Sequence, residues 1–583
     1  MKSNISLLGN KWVLLESDER TTLMISQRYS ISPTLSKLLI NREINEETIE
    51  QYLNPDLYRD LPNPFKLKDM DKSINRIITA IENNEKIGII ADYDVDGATS
   101  SAILSKFFHS IKIKPLIKIP NRLTEGYGPN NRIMNDFIED NINLVFSLDC
   151  GTNAFEIFNN SKYKHLDIII VDHHISESYF PNVYSIINPN RFDEKGEYKN
   201  LAAVGVTFML LLGLRKKLRD INFFKKNHLK EPNLLYYLDL VALGTICDIV
   251  VLKDYNRLFV NKGLEIIKKR NNIAINTLID DSNLFREPKA SDLGYIIGPK
   301  LNAASRIDNS NLAFKILISN NISDIQSISR KLTIFNEKRK LIENQVYEKC
   351  YSKAIKNKNK KIIIVHEEDL HLGILGIVAS RLVKEFSKPV IIISFLNNLG
   401  VGSARSIENF NLFNLLDQAK KQKILISSGG HEMAGGLKID KKHLKKFINF
   451  TEEFISKFDN IYQEKLIYCD NIILTENVNE FLLEDIEKLE PFGNGNLEPK
   501  FIIKDIKIDF VKKIKNKHLL LNISHSNSNH IKGICFNSIN QSLGDNLLNY
   551  KNKKIDILCS ITKEYFQGSS KPQIIIYDAI ISN

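Results

Sequence analysis

Three aspartates stand at alternate positions directly after a short apolar run. Asp92, Asp94 and Asp96 follow Ile87–Ala91, which the residue types predict as a buried strand. If the chain stays extended, the three side chains project to one side. Carboxylates held that close repel each other, so some must take up protons unless a cation neutralises them. The spacing therefore predicts a divalent metal site.

Aspartate and histidine also follow three other apolar segments. Each such residue alone is explained as a helix cap or a turn residue, but four apolar segments with the same polar end need a common cause. Ligand crevices form at the carboxyl ends of strands in open parallel sheets, so we expect these side chains to meet at one sheet edge. The segments are Leu144–Leu148 before Asp149, Asp167–Val171 before Asp172, His173 and His174, and Leu238–Cys247 before Asp248.

The donor types narrow both the metal and the reaction. Carboxylates suit Mg²⁺ and Mn²⁺, and an imidazole among them favours Mn²⁺. Several aspartates and a histidine exceed the needs of one ion and suit two ions about 3.5–4 Å apart that share a carboxylate. Such a pair activates water near neutral pH and stabilises the attacking and leaving oxygens of a phosphoester. The donor set predicts two-metal phosphoester hydrolysis.

The hydrophobic pattern predicts the elements that must position these residues. From about residue 65 to 255, apolar strands alternate with amphipathic helices, which is typical of a parallel α/β sheet. Apolar residues from Ile325 to Val346 recur at steps of three and four and predict one long helix. A smaller α/β unit follows, and from about residue 466 five strands predict an OB-fold-like barrel. We predict an N-terminal adaptor at 1–60, a catalytic domain at 61–255, a helical connector at 256–358, a second α/β domain at 359–462 and the barrel at 463–583.

Several motifs give the chain a resemblance to a known family. Asp92-Tyr-Asp-Val-Asp-Gly97, Ser147-Leu-Asp-Cys-Gly151 and Val171-Asp-His-His174 resemble the motifs of the DHH phosphoesterase family. Gly429-Gly-His-Glu-Met-Ala-Gly-Gly436 resembles the DHHA1 domain that accompanies one branch of that family. Within this branch the chain resembles the single-strand-specific 5′→3′ DNA exonucleases from about Asp56 onwards. The resemblance implies that 61–255 is the DHH domain, that 359–462 is the DHHA1 domain and that the barrel binds nucleic acid.

The resemblance also implies roles for the residues of the metal site. Asp149 is expected to bridge the two ions, and His174 to face the scissile phosphate as an electrostatic stabiliser or proton donor. Asp172 is expected to orient a histidine. The first ion would be completed by Asp94, helped by Asp92, and the second by Asp96, His173 and Asp248.

Seven further residues match positions that hold the nucleic acid strand in the family. Arg122 and Tyr127 are expected near the 5′ end, Tyr127 by stacking on a base. Arg306 is expected to grip backbone phosphates in a narrow passage. The remaining four are expected to seat the 5′-phosphate and so set the polarity. They are His371, Ser403, Arg405 and His431.

The composition limits the partners and the cellular compartment that suit this chain. The net charge of +11 and pI near 9.0 suit a polyanionic partner, but an AT-rich genome also produces many lysines, so charge alone does not select nucleic acid. The six cysteines lack any Cys-x-x-Cys spacing and predict reduced thiols in a cytoplasmic protein. The sequence shows no apolar run of membrane-spanning length and no signal-peptide pattern near Met1. We expect a cytoplasmic monomer without membrane contact.

These observations predict a metal-dependent exonuclease that degrades single-stranded DNA in the 5′→3′ direction, in DNA repair and recombination. A helicase and a single-strand-binding protein are expected partners. Two other functions remain open at this point. A DHH phosphodiesterase of short RNA or signalling dinucleotides predicts a shorter chain without the barrel. A non-catalytic single-strand-binding scaffold predicts lost metal ligands.

Overall fold

A computed structural model describes residues 5–458, 465–525, 530–549, 554–566 and 569–581. The chain divides into two compact units. The smaller unit contains Met1–Leu61, Val251–Asn261 and Gln463–Asn583, and the larger contains Pro62–Val250 and Lys262–Tyr462. Among the described residues, no helix is both long enough and apolar enough to cross a bilayer.

The larger unit contains a parallel sheet of five strands. The strands are β1 (Ile87–Ala91), β2 (Leu116–Lys118), β3 (Leu144–Leu148), β4 (Asp167–Val171) and β5 (Ser185–Ile187), in the order β2-β1-β3-β4-β5. β1 and β3 are buried throughout, as expected for strands of a sheet covered on both faces. The bounds of β1, β3 and β4 match the apolar runs in the sequence, because these runs are short, β-branched and end in polar residues.

Helices surround this sheet. Those that concern the site are α1 (Val95–Ser110), α2 (Ala203–Asp220), α3 (Leu238–Cys247) and α4 (Gly298–Ile307). The sequence pattern grouped Leu238–Cys247 with the strands, and this prediction is wrong. The segment is a helix buried over most of its surface, and an apolar run that is buried on every side carries no periodicity to separate a helix from a strand.

The predicted long helix is present as α5 (Ile322–Ala354). It is followed by α6 (Leu375–Phe386) and by a second sheet. The strands of that sheet are β6 (Ile363–Glu368), β7 (Val390–Leu396), β8 (Leu399–Arg405), β9 (Ser427–His431) and β10 (Ala434–Asp440), in the order β9-β10-β8-β7-β6. The other α-helices of this unit are Met70–Glu82, Asn131–Glu139, Phe155–Phe158, Phe223–Lys226, Ile273–Asp280, Ala290–Asp292, Leu312–Ile318, Leu412–Lys421 and Leu444–Ser456.

The smaller unit is built on a closed barrel. Its strands are β11 (Phe501–Ile514), β12 (His518–Ser524), β13 (Ile531–Cys535), β14 (Lys554–Phe566) and β15 (Ser569–Ile581), in the order β11-β12-β13-β15-β14. Pairing of β14 with β11 closes the barrel and so leaves neither as a free edge. From the sequence we predict the second barrel strand over His518–Ser526. The strand ends at Ser524, and Ser526 lies outside the described residues.

Residues distant in sequence complete the smaller unit. Leu35, Leu38 and Leu39 of the helix Pro33–Ile40 belong to the same buried cluster as the barrel interior. Arg257 lies 3.6 Å from the centre of the Tyr52 ring and donates to the carbonyl of Glu490. The remaining elements are the helices Glu19–Tyr29, Ile49–Leu53, Leu57–Asp60, Glu480–Lys488 and Ser542–Asn549, the helix Asp254–Lys268 that begins here, and the strands Lys11–Leu14, Leu466–Cys469 and Asn471–Ile473.

The predicted fold class is therefore confirmed. It comprises a parallel-sheet α/β domain, a long helix, a smaller α/β domain and a closed five-stranded barrel. The five domain boundaries read from the sequence stay a prediction.

Candidate metal centre

Strand register brings three acidic positions to one edge of the parallel sheet. Ala91 pairs with Leu148, and Leu148 pairs with Val171, so β1, β3 and β4 end at the same level. The next residues are Asp92, Asp149 and Asp172. Parallel strands place their carboxyl ends together, so acids far apart in the chain become neighbours.

The chain does not stay extended after Asp92. Asp94 is the N-cap of α1, and its Oδ1 accepts hydrogen bonds from the backbone N–H groups of Asp96 (2.9 Å) and Gly97 (3.1 Å). The three acids therefore do not project from one side of an extended chain, because the helix begins within the motif and turns them. A Cβ at Gly97 would lie 2.4 Å from the carbonyl oxygen of Asp92, so this turn requires glycine.

Asp96 belongs to the acidic cluster and also binds the beginning of α2. Its carboxylate accepts hydrogen bonds from the N–H groups of Ala203 (2.7 Å) and Val204 (2.8 Å), at the beginning of α2. The side chain is almost fully buried. A carboxylate at a helix N-terminus is stabilised by the unpaired N–H groups there, so Asp96 is held in a fixed orientation.

The acids and histidines form three overlapping groups that could each hold a metal ion. In each group the ligand atoms lie within 4.8 Å of one another. Asp149 and His173 each belong to two of the three groups, and of these two only the carboxylate has two oxygens with which to bridge a pair of ions. The groups are Asp92, Asp94 and Asp149; Asp96, His173 and Asp248; and Asp149, His173 and His174.

Asp149 has a backbone conformation that is rare for a residue with a side chain. Its φ angle is +59°, in the left-handed region. Its N–H nevertheless bonds to the carbonyl of Val171 at 3.0 Å, so the strand pairing continues through this position. Strained residues of this kind persist where the surrounding structure fixes them, often at functional sites.

Three buried atoms of the cluster have no hydrogen-bond partner among the described residues. They are Asp92 Oδ1, Asp149 Oδ1 and His173 Nε2. His173 Nε2 lies 3.3 Å from Asp149 Oδ1 and 3.4 Å from Asp248 Oδ2. Buried polar atoms are nearly always satisfied, so unpartnered oxygens and a nitrogen within this cluster fit bound cations.

The raised pKa values of the clustered aspartates also fit a bound cation. Burial is the main cause that raises the pKa of Asp96 to about 7, and repulsion from the neighbouring Asp94 adds to it. Burial is also the main cause that raises the pKa of Asp248 to about 9, and repulsion from Asp96 adds to it. Burial also raises the pKa of Asp92 and of Asp149 well above the usual range. Carboxylates with oxygen donors and one imidazole suit Mn²⁺ and Mg²⁺, which would neutralise this repulsion.

The two adjacent histidines have different environments. Burial, and then the charge of His174, lowers the pKa of His173 to about 4, so this imidazole is neutral and can bind a metal through a ring nitrogen. Burial opposes protonation of His174 too, but the charge of Asp172 and its hydrogen bond (Nδ1 to Oδ1, 2.7 Å) raise the pKa of His174 to about 9.

Residues that sequence reasoning missed hold this turn. Thr152 donates from its N–H (3.1 Å) and its hydroxyl (2.7 Å) to Asp172 Oδ2. The amide of Asn188 donates to Thr152 Oγ1 (2.9 Å) and to the carbonyl of His174 (2.8 Å), and that of Asn190 to the carbonyl of His173 (2.6 Å). Asn188 follows β5 as Asp172 follows β4, so the rule that identified the acids could also have found these asparagines.

Three arginines expected to contact phosphates lie close together. The Arg122 guanidinium carbon lies 4.6 Å from the centre of the Tyr93 ring, a contact that the sequence did not indicate. Arg306 donates to the carbonyl of Gly373 at 3.1 Å, and Arg405 to Ser403 Oγ at 3.2 Å. In the described parts of the chain, none of the three has a carboxylate within the 4.0 Å of an ion pair. Burial and the neighbouring Arg122 lower the pKa of Arg306 to about 9, as expected for positive charge without a counter-ion.

The other predicted strand-binding residues also lie around this cleft. The Tyr127 hydroxyl donates to the carbonyl of Asp149 at 2.8 Å, while the residue is 52% exposed. The ring of His431 stacks on His174, with centres 6.3 Å apart and planes 16° apart. His371 Nδ1 is buried, with no partner in the region described. The structure thus brings residues of both α/β domains to one site, and their roles in binding stay a prediction.

Comparison with known proteins defines the class to which this architecture belongs. The DHH family model, N-terminal domain, matches residues 86–245, and the DHHA1 domain model matches 359–457. The RecJ OB domain model matches 469–578.

Individual relatives identify one family within this class. The single-stranded-DNA-specific exonuclease RecJ of Haemophilus influenzae is 32% identical over 83% of this chain and 85% of its own length. Two solved structures are also similar. RecJ from Thermus thermophilus in complex with Mn²⁺ has a TM-score of 0.82 and 21% identity over 100% of this chain and 80% of its own. An exonuclease RecJ bound to manganese has a TM-score of 0.58 and 26% identity over 68% and 96% of the two chains. This chain belongs to the RecJ family of single-stranded-DNA-specific exonucleases.

Proposed function

We propose that this protein is a metal-dependent exonuclease that hydrolyses single-stranded DNA from the 5′ end. The observation that carries the proposal is a cluster of carboxylate and imidazole atoms without a hydrogen-bond partner, beside arginines without a carboxylate partner, in both cases among the described residues. The first set suits divalent cations, and the second suits phosphates. A chain of the RecJ family that holds both sets has the parts needed for phosphodiester hydrolysis.

We assign the metal ligands from the groups described above. Asp92, Asp94 and Asp149 would hold one ion. Asp96, His173 and Asp248 would hold the second, and Asp149 would be a ligand of both. Bound Mn²⁺ or Mg²⁺ ions supply a nucleophilic water near neutral pH and neutralise charge on the phosphate. The similar RecJ structure that contains manganese supports the same choice of metal.

The chain's own residues position the substrate and stabilise charge. Asp172 keeps His174 protonated, so His174 can donate a hydrogen bond to the phosphate or a proton to the leaving oxygen. Tyr127 Oη lies 3.2 Å from His174 Nδ1, which places a half-exposed ring for base stacking beside the reacting group. His431 packs against the other side of the cleft.

The 5′ end would be held by Arg405, Ser403 and His371, with Arg122 and Arg306 along the backbone. Arg405 and Ser403 lie at the beginning of α6, where a Cβ at Gly376 would be 2.7 Å from Arg405 Nη2 and 3.2 Å from Ser403 Oγ. Free N–H groups at a helix N-terminus and an arginine together favour an anion. A pocket for a terminal phosphate gives the enzyme its 5′→3′ polarity.

The setting of the activity follows from the substrate. We infer action in DNA repair and recombination in the cytoplasm, with a helicase that unwinds duplex and a single-strand-binding protein that supplies the strand. The barrel would extend strand binding through basic and aromatic contacts. A monomer and the five sequence-derived domain boundaries complete the proposal.

The decisive experiment follows product size with time. A long single strand, 5′-phosphorylated and labelled at its 3′ end, is incubated with Mn²⁺ or Mg²⁺. We expect progressive shortening from the 5′ end and no cleavage in EDTA. Release of the labelled end first would contradict the polarity, and cleavage of a dinucleotide in preference to the long strand would favour the short-substrate phosphodiesterase.

A further inference from the structure

A cavity with both polar and apolar lining residues lies in the larger unit, apart from the metal centre. Its volume is about 390 Å³, within the range of sites for small ligands. It is formed by α1, α3, the start of the helix Ile273–Asp280 and the loop after the helix Leu312–Ile318. Its polar lining includes Lys106, Tyr236, Asp239, Asn271, Asn272 and Asn320.

Lys106 supplies the positive charge of this cavity. Lys106 is partly buried, and in the described parts of the chain it has no carboxylate within the 4.0 Å of an ion pair. Burial lowers the pKa of Lys106 from its usual value, and the charge of Asp239 in the same cavity opposes this shift. An anion in the cavity would therefore gain a charge-assisted hydrogen bond that the protein itself does not supply.

The nearby carboxylate of Asp239 already accepts hydrogen bonds from the protein. Asp239 is 3% exposed, and its carboxylate accepts from the N–H of Leu240 (2.6 Å) and the side-chain amide of Asn272 (2.7 Å). Burial raises the pKa of Asp239 to about 6. This carboxylate fixes the orientation of Asn272. The charge of Lys106 also acts on it, but the two groups form no ion pair within 4.0 Å.

A flat ring at the cavity adds a second recognition element. Tyr236 is 54% exposed and lines the cavity together with the amide groups of Asn271 and Asn320. An exposed tyrosine ring stacks well on a planar base, and side-chain amides can satisfy the donors and acceptors on its edge. The lining thus combines a cation with a stacking surface.

We propose that this cavity binds a mononucleotide, with its phosphate at Lys106 and its base on Tyr236. The site is separate from the reacting centre. Lys106 lies twelve residues along α1 from Asp94, or about 18 Å at the helical rise. Asp239 lies nine residues along α3 from Asp248, or about 14 Å. Mononucleotides are also the product class of the proposed exonuclease, but binding at this site requires no turnover.

Crystals of the full chain soaked with 5-bromo-2′-deoxyuridine 5′-monophosphate in EDTA test the location. We expect an anomalous bromine peak beside Tyr236. A peak only beside Arg405, or none, would overturn the proposal while leaving the nuclease assignment unaffected.

Calorimetry of the same nucleotide in EDTA tests the chemistry. Lys106→Met and Lys106→Gln should each raise the Kd of one site at least about tenfold, whereas the exposed-lysine control Lys445→Met should not. Tyr236→Ala should weaken the nucleotide but not inorganic phosphate. Equal binding by the Lys106 and Lys445 variants, or equal affinity for phosphate and nucleotide, would refute a mononucleotide site.

Discussion

Asp172 and His174 form a close pair in which Oδ1 and Nδ1 are 2.7 Å apart, and this contact separates two adjacent histidines chemically. His174 gains a raised pKa from the carboxylate, whereas His173 keeps a lowered one because burial dominates. One histidine can therefore act as a cationic donor while its neighbour remains a neutral ligand. The turn Asp172–His174 alone provides both functions.

Asp172→Asn tests this pair. The amide cannot stabilise a protonated imidazole, so we expect kcat to fall by about 10²- to 10⁴-fold, the usual contribution of a positioned acid or base. Mn²⁺ affinity, measured by calorimetry, should change little because Asp172 is in none of the three ligand groups. A parallel loss of metal affinity would show that Asp172 acts through the ligands instead.

Asp149→Ala tests the shared carboxylate. Loss of a ligand common to two metal groups should abolish cleavage, while fluorescence anisotropy should show near-normal binding of single-stranded DNA. Asp140→Ala, at an exposed position beyond the opposite end of the sheet, is the matched control and should keep full activity. Full Mn²⁺-dependent cleavage by the Asp149 variant would refute the bridging role.

Arg405→Ala tests recognition of the chain end. Removal of the guanidinium beside Ser403 should raise the KM for a 5′-phosphorylated strand at least about tenfold, as for the loss of a charged hydrogen bond. A 5′-hydroxyl strand should be affected much less. Arg330→Ala, on the exposed side of α5, is the control. Equal losses on both substrates would contradict a phosphate pocket at Arg405.

The acidic cluster predicts how metal removal depends on pH. In the metal-free protein, burial and mutual repulsion raise the pKa of Asp96 to about 7 and that of Asp248 to about 9, above the ~3.9 of an unfolded aspartate. The folded state then holds protons that the unfolded state has released. Its free energy of unfolding therefore falls as pH rises from about 4 through these folded-state values.

Melting temperatures with EDTA and with Mn²⁺ check this linkage. Bound cations remove the repulsion, so EDTA should lower Tm more at pH 8 than at pH 5. Asp248→Asn removes one of the raised groups and should reduce the difference between the two pH values. An EDTA effect that is the same at both pH values would show that the cluster is not the cause.

Local sequence patterns predict three strands of the catalytic sheet and the acids and histidines that follow them. β1, β3 and β4 are short β-branched runs with polar boundaries, and such local signals need no tertiary contact. The long helix α5 could be predicted for the same reason, since its apolar stripe has the helical period. The motif residues of the metal site were identified from their types and spacing.

The orientation of those side chains depends on tertiary contacts. A helix that begins at Asp94 turns the aspartate triplet, and the start of α2 holds Asp96 through backbone N–H groups more than a hundred residues away. The helical state of Leu238–Cys247 depends on burial on all sides, which leaves no periodic pattern to read. Orientation, burial and protonation depend on neighbours distant in sequence, and only the folded chain brings those neighbours together.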